Sequence, residues 1–207
     1  MIKIENIDIY GWEAAIRGLR NPLNSWAKSD SRYTENGKFD VGDSDLALMM
    51  RLAKAGSDHA KYRRMITVTM DITAPLYWWK EYDTYKVGTV ANSCSTMHTI
   101  HKKEFTLDDF SWEEMIYRSV SVLNQVIAEL NLNREDYLET HDRKYWDSMI
   151  QLLPTSYNQR RTVQLNYEVL ANIYRNRRHH KLDEWTSFCL FIEKLPYAQI
   201  ITGGSEG

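Results

Sequence analysis

Hydrophobic and polar residues alternate from the first positions of the chain. Ile2, Ile4, Ile7, Ile9 and Tyr10 stand among Lys3, Glu5 and Asp8, which predicts a strand over 2–10. Residues 13–20 predict a helical turn or two that stops near Asn21-Pro22, because the residue before a proline is steered out of the helical region. Residues 21–43 are dominated by Asn, Ser, Asp and Gly and read as one long loop, long enough to be functional or mobile. Ser44 is placed to cap a helix that carries Leu46, Met49, Met50 and Ala53 on one face and halts at Gly56. Over 64–74 the pattern is β-branched with period two, so Ile66, Val68, Met70 and Ile72 face one way. Pro75 ends that strand and begins a helix with Leu76, Tyr77, Trp78, Trp79 and Tyr82. Residues 83–101 form a polar, hydroxyl-rich connection. Steps of three and four through Trp112, Met115, Ile116, Val120, Leu123, Val126, Ile127 and Leu130 predict an amphipathic helix over 112–130. Further helices are predicted over 142–153, 166–178 and 183–195, with a β-type run at 162–165. Helices mixed with a few strands, without a βαβ rhythm, give an α+β class: an antiparallel or mixed sheet packed with several helices, in a single domain over 1–207.

Composition narrows the function classes. The chain has 207 residues, with 26 Lys and Arg against 28 Asp and Glu, a formal net charge of -2 that lacks the basic excess of a nucleic-acid or membrane-surface binder. A 43% hydrophobic and 26% charged share is that of a folded globule. No apolar run approaches the roughly 20 residues of a membrane helix, and no apolar h-region follows the start, so a cytoplasmic protein is expected. Cys94 and Cys189, far apart in sequence, read as reduced thiols. Seven Trp and 13 Tyr are many for this length; most are expected in the core, and some suit a pocket that holds a flat ring.

The usual phosphate-loop, zinc-protease and hydrolase-elbow motifs are absent. The tandem His179-His180 is poorly placed for one metal ion, because helical neighbours point about 100° apart. The run Arg175, Arg177, Arg178, His179, His180 and Lys181 is the densest positive spot; it suits a phosphate or carboxylate, or a solvated basic helix end. Cys94 would need a base or a positive helix end nearby to act as a nucleophile, and spacing places none. Along 166–177, eleven helical steps turn through about 1100°, so Asn166 and Arg177 return to one face with Leu170 and Ile173 between them, and Asn172 falls about 120° aside. Either the two polar ends hold a flat ligand, or Asn166 caps the helix and Arg177 is a solvated last-turn residue.

Two segments together resemble the flavin-dependent thymidylate synthases. The first runs from Lys54-Ala55-Gly56 through the strand 65–74, Ala74-Pro75 and the helix 76–82 to Asp83-Thr84-Tyr85-Lys86-Val87-Gly88-Thr89 and Asn92-Ser93-Cys94-Ser95-Thr96. The second, 154–185, matches the family's strand and helix with two asparagines, an arginine and a tryptophan at Asn166, Asn172, Arg177 and Trp185. Ala14-Ala15-Ile16-Arg17 is similar to the family's early Ala-Ala-Arg. The resemblance implies a thymidylate synthase-complementing-protein-like fold and a homotetramer with shared active sites. It implies FAD, with deoxyuridine monophosphate (dUMP) stacked on the flavin, and reductive methylation of dUMP to dTMP using methylenetetrahydrofolate and NADPH. No side-chain nucleophile is required, because the cofactor carries the redox chemistry. By position, Thr84, Tyr85, Lys86, Asn166 and Asn172 would bind the cofactor, and Ser95 and Arg177 the nucleotide.

The departures from the family pattern fall on its cations. Thr84-Tyr85-Lys86 replaces an Arg-His-Arg triplet, Glu81 a Gln, Ser93 an acidic residue, and Met97-His98 an Arg-Tyr. Lysine lacks the fork of arginine, and each lost charge-assisted bond is worth about 1.5–3 kcal/mol. Arg63, Arg64, Arg160, Arg161, Arg175 and Arg178 are the candidate replacements. Two further readings follow: a non-catalytic nucleotide- or flavin-binding homologue with a degenerate site, and an enzyme acting on another pyrimidine with His98 or Tyr85 as proton donor.

Overall fold

A computed structural model of the chain describes residues 2–203. In order these form β1 (Lys3–Tyr10), α1 (Trp12–Arg20), β2 (Arg32–Tyr33), β3 (Phe39–Asp40), α2 (Asp43–Lys54), β4 (Thr67–Pro75), α3 (Leu76–Tyr82), β5 (Val90–Ser93), α4 (Thr96–Thr99), α5 (Tyr117–Thr140), α6 (Arg143–Leu152), β6 (Asn158–Asn166), α7 (Tyr167–Arg177), α8 (Asp183–Glu193) and α9 (Gln199–Thr202). Four strands form a sheet in the order β1-β4-β6-β5, and β2 and β3 form an antiparallel hairpin with Tyr33 opposite Phe39. The class is α+β, as the mixed periodicities predict. Among the described residues, no helix is long and apolar enough to cross a membrane.

The chain gathers into two compact units. One takes the start of the chain up to Ile4, then Ile72–Thr84 and Asn92–Thr162. Its core lies under α5 and α6, where Ile100, Phe105, Phe110, Leu123, Ile127, Leu130 and Met149 are buried. The helix there starts at Tyr117 rather than at Trp112, and it continues to Thr140. Trp112 and Met115 pack on the same core from the segment before the helix, so their apolar spacing records burial and not helical phase. In this unit Trp78, Trp79 and Tyr82 form an interlocked cluster, with ring centroids 5.0–5.2 Å apart. Trp79 Nε1 donates to the carbonyl of Gln159 at 2.9 Å, and the Arg161 guanidinium lies 4.2 Å over the Trp79 ring. These aromatics are core, as their number suggested for most of them.

The other unit takes Glu5–Asp71, Tyr85–Ala91 and the chain described from Val163 onward. Ile66, Val68 and Met70 are 0–1% exposed, and they share this core with Ile16, Leu170, Ile173, Trp185, Phe188 and Ile192. In β1 the predicted alternation slips between Ile4 and Ile7, and Asn6 there adopts φ 51°, with its amide donating to Asp71 Oδ2 at 2.7 Å. The strand tolerates the slip because Asn enters the left-handed region more readily than most residues. Gly11 (φ +92°) joins β1 to α1 where a Cβ would lie 2.0 Å from the Met65 carbonyl oxygen, so no side chain fits.

The stretch 21–43 differs from a plain loop. It holds two 3₁₀ turns, Asn21–Leu23 and Trp26–Lys28, and then the β2–β3 hairpin. Ser44 is not the cap of α2: the helix begins at Asp43 after Gly42, and the Asp30 carboxylate accepts from the N–H groups of Ser44 (2.8 Å) and Asp45 (3.1 Å). A carboxylate from outside the helix thus does the capping, which local spacing cannot show. The connection over 83–101 likewise holds β5 and α4.

Candidate functional site

β6 leads directly into α7, and Asn166 stands at the junction. Its Oδ1 accepts from the backbone N–H groups of Glu168 (3.1 Å) and Val169 (3.0 Å), which makes it the N-cap. Its Nδ2 has no partner among the described residues. Leu170 and Ile173 are fully buried on the next two turns, and Arg177 lies half-buried in the last. The predicted face, with a polar group at each end of an apolar stripe, is therefore formed. The alternative reading is half right: Asn166 does cap the helix, but Arg177 is not a solvated end.

Arg177 is held by two rings. Its Nε donates to the Tyr85 hydroxyl at 2.9 Å, across 92 positions of sequence. Its guanidinium lies 4.8 Å over the ring of Trp185, which is fully buried at the start of α8. Tyr85 and Trp185 meet edge to face, with centroids 6.1 Å apart. Guanidinium on a tryptophan face is a favourable cation–π arrangement. Helical side chains lean toward the helix N-terminus, so Arg177 reaches back along α7 to the segment that carries Tyr85.

The same segment meets the start of α7. Gly88 adopts φ +79°, and a Cβ there would lie 3.1 Å from Asn166 Nδ2 and 3.3 Å from Val169 Cγ2. Thr89 follows with a buried hydroxyl that has no partner among the described residues. Lys86 and Val87, at the tip, are exposed. Gly88→Ala is expected to lower stability by about 1–2 kcal/mol through the left-handed backbone alone. It should also displace the Asn166 side-chain amide resonances in an NMR spectrum; an unmoved Asn166 amide would refute the contact.

The other predicted site residues lie elsewhere. Asn172 is on α7 but on another face: its Oδ1 accepts from Arg175 Nη2 (3.0 Å) and Asn176 Nδ2 (2.8 Å), and it borders a small cavity with Arg63, Glu168 and Ser57. Thr84 and Ser95 belong to the first unit. The Thr84 hydroxyl donates to the carbonyl of Glu81 (2.7 Å), closing α3, and Ser95 caps α4 by accepting from the N–H of His98 (3.3 Å). Tyr85 thus meets Arg177 on α7 and Asn166 heads that helix, Lys86 is exposed beside Tyr85, Asn172 is turned away from Arg177, and Thr84 and Ser95 serve helix ends.

Most of the candidate replacement cations have other partners. Arg63 is buried, with Nη1 3.4 Å from Glu168 Oε2. Arg161 donates to Asp83 (2.8 Å) and to Gln159 (3.0 Å). Arg175 is bonded to Asn172. Arg64 and Arg178 are exposed. In the basic run, His180 Nδ1 accepts from the N–H of Leu182 (3.2 Å), which gives that ring a structural task at the entry to α8. Burial, followed by the nearby Glu193 carboxylate, pushes the Cys189 thiol up to about 11, so it is a poor nucleophile. Cys94 is exposed, and neither cysteine is in a disulfide. Sequence reasoning missed Gly88 and the seat that Trp185 offers Arg177. An isolated glycine in a polar connection was the available signal for Gly88. Nothing local pointed to the ring contact.

No protein-family model and no curated protein sequence matches the chain. Solved structures do. Thymidylate synthase X from Helicobacter pylori, crystallised with FAD and dUMP, matches with a TM-score of 0.71 at 14% identity, over 100% of both chains. A second structure of that flavin-dependent enzyme with FAD and dUMP matches at 0.69 and 15% identity, over 99% of this chain and 98% of that one. The UMP/dUMP methylase PolB from Streptomyces cacaoi, bound with 5-Br dUMP, matches at 0.62 and 14% identity, over 98% and 95%. The chain has the fold that these proteins share, over essentially its whole length.

Proposed function

We propose that this chain is a divergent flavin-dependent thymidylate synthase-like protein that binds FAD and a uracil nucleotide, with dUMP as the first substrate to test. The observation that carries the reading is the meeting of the Tyr85–Thr89 segment with both ends of α7, through Arg177 at one end and Asn166 at the other. The resemblance assigns those two stretches to one ligand site, although they are some 80 residues apart. The residues fit the ring-and-amide half of a flavin nucleotide: Asn166 Nδ2 and the Thr89 hydroxyl are unpartnered among the described residues. They fit the diphosphate half less fully, with Lys86 as the exposed cation on the segment.

Bound flavin would supply the hydride chemistry, with methylenetetrahydrofolate as carbon donor and NADPH as reductant. The chain's own part is to bind and orient. The Asn166 amide donates a hydrogen bond. Lys86 supplies a mobile positive charge at the rim. Arg177, seated between Tyr85 and Trp185, offers its charge to the nucleotide. Sites shared within a homotetramer, in the cytoplasm, belong to the same proposal.

The test is to add FAD to the purified protein, pass it over a sizing column and follow flavin absorbance. Formation of dTMP, with tetrahydrofolate as the folate product, is then assayed with dUMP, methylenetetrahydrofolate and NADPH. Co-elution with turnover supports the reading. A folded oligomer that carries no flavin overturns it. A second reading, ligand binding without turnover, is favoured by the commitment of Arg63 and Arg161 to Glu168 and Asp83. Tight dUMP binding with no dTMP formed would select it.

A further inference from the structure

Resting on that reading, we infer that Tyr85 is a positioning residue that couples cofactor and nucleotide binding through Arg177. The hydroxyl of Tyr85 accepts the Nε–H of Arg177 at 2.9 Å, and the edge-to-face contact with Trp185 holds its ring. The neighbouring residue, Lys86, is exposed at the tip of the segment, and Gly88 seats that segment against Asn166 and Val169. The segment is therefore clamped to α7 by its first residue and by its turn. A ligand that engages Lys86 and the Asn166 amide immobilises the segment. The Tyr85 hydroxyl then transmits that order to the guanidinium, and a nucleotide meeting the guanidinium orders the segment in turn.

Such coupling is reciprocal by thermodynamic necessity, and its size is bounded by the bond that carries it. One hydrogen bond to a charged group corresponds to about a tenfold change in affinity or somewhat more. The resemblance puts Tyr85 among flavin contacts. The geometry gives its hydroxyl to the arginine instead, so its effect on the flavin is exerted through the segment and its effect on the nucleotide through Arg177.

The experiment is calorimetric titration of dUMP into the full chain, with and without saturating FAD, for the wild type, Y85F, R177M and the Y85F/R177M pair. Thermal melts serve as the folding control. In the wild type FAD should tighten dUMP about tenfold. Y85F, which keeps the ring and loses only the oxygen, should remove most of that tightening, leaving what direct stacking on the flavin provides, and keep the melting temperature within a few degrees. In the R177M background Y85F should change dUMP affinity no further, a non-additivity that a merely structural role does not produce. Equal losses from Y85F in both backgrounds, or wild-type dUMP binding that ignores FAD, would overturn the inference and leave the proposed function standing. A wild type that binds no dUMP under either condition overturns the proposed function, and the inference with it.

Discussion

Replacing Asp45 by alanine is expected to cost about 3–5 kcal/mol of folding stability, because it strands a buried arginine. Asp45 is fully buried and Arg20 is 4% exposed, and the two form an ion pair through Nε and Oδ1. The other carboxylate oxygen accepts from the hydroxyls of Ser29 (2.7 Å) and Ser31 (2.6 Å) and from the N–H groups of Ser31 (3.1 Å) and Asp30 (3.2 Å). One side chain of α2 thereby ties down the polar stretch that precedes it, and Asp30 returns the favour by capping α2. Without the carboxylate, Arg20 keeps the Ser25 carbonyl and the Ser44 hydroxyl, neither of which carries charge. Equilibrium unfolding in urea measures the effect. A loss below about 1 kcal/mol, the range of an exposed pair, would mean that the network does not hold the unit together.

The same carboxylate sets a pH dependence. Burial alone would raise its pKa, but the hydrogen bonds from Ser31, Ser29 and Arg20, with the Arg20 charge, outweigh burial and hold it below the ordinary carboxylate value. A group whose folded pKa is depressed stabilises the fold fully above its unfolded value, and that contribution is lost as the pH falls through the lower folded value. Stability should therefore be flat through neutral pH and fall below about pH 4. In Asp45→Asn the acid limb should be shallower, since one titrating group is gone. An identical limb in wild type and variant would assign the acid sensitivity to other carboxylates.

Arg177→Ala is expected to weaken dUMP binding by about 10- to 150-fold, the cost of removing a charged hydrogen-bonding partner. The expectation is steep because Arg63 and Arg161 are held by Glu168 and Asp83 and are poorly placed to substitute. Arg177→Lys should recover little: the ammonium has no planar face for Trp185 and no Nε–H for Tyr85. The melting temperature should fall only a few degrees, since Trp185 keeps its burial among Phe188 and its other neighbours. Calorimetry on the two variants decides, and unaltered dUMP affinity in Arg177→Ala would remove this arginine from the proposed nucleotide site.

Much of the fold was legible before any coordinates. The run Ile66, Val68, Met70 and Ile72 alternates in sequence and is buried in the structure, and Pro75 marks both the end of β4 and the start of α3. The α7 face from Asn166 to Arg177 followed from helical geometry alone. Trp112 and Met115 keep helical spacing although they precede α5, because burial on one core leaves the same pattern as helical phase, and the group that caps α2, Asp30, is remote from it in sequence. β5 and α4 escaped because four-residue elements carry too few positions to show a period.

Periodicity survives in a linear sequence because a strand or helix repeats its environment every two or 3.6 residues, so each burial choice is written into adjacent letters. That is why the α+β class and the stripe of α7 with a polar group at each end could be read from the letters. The partner of Arg177 is of a different kind. Tyr85 lies 92 positions away, and its hydroxyl reaches the guanidinium because β6, α7 and α8 set Arg177 over Trp185 while the turn at Gly88 brings the segment back onto the helix. No local pattern encodes a distance between two such side chains; the packing of the unit around them sets it.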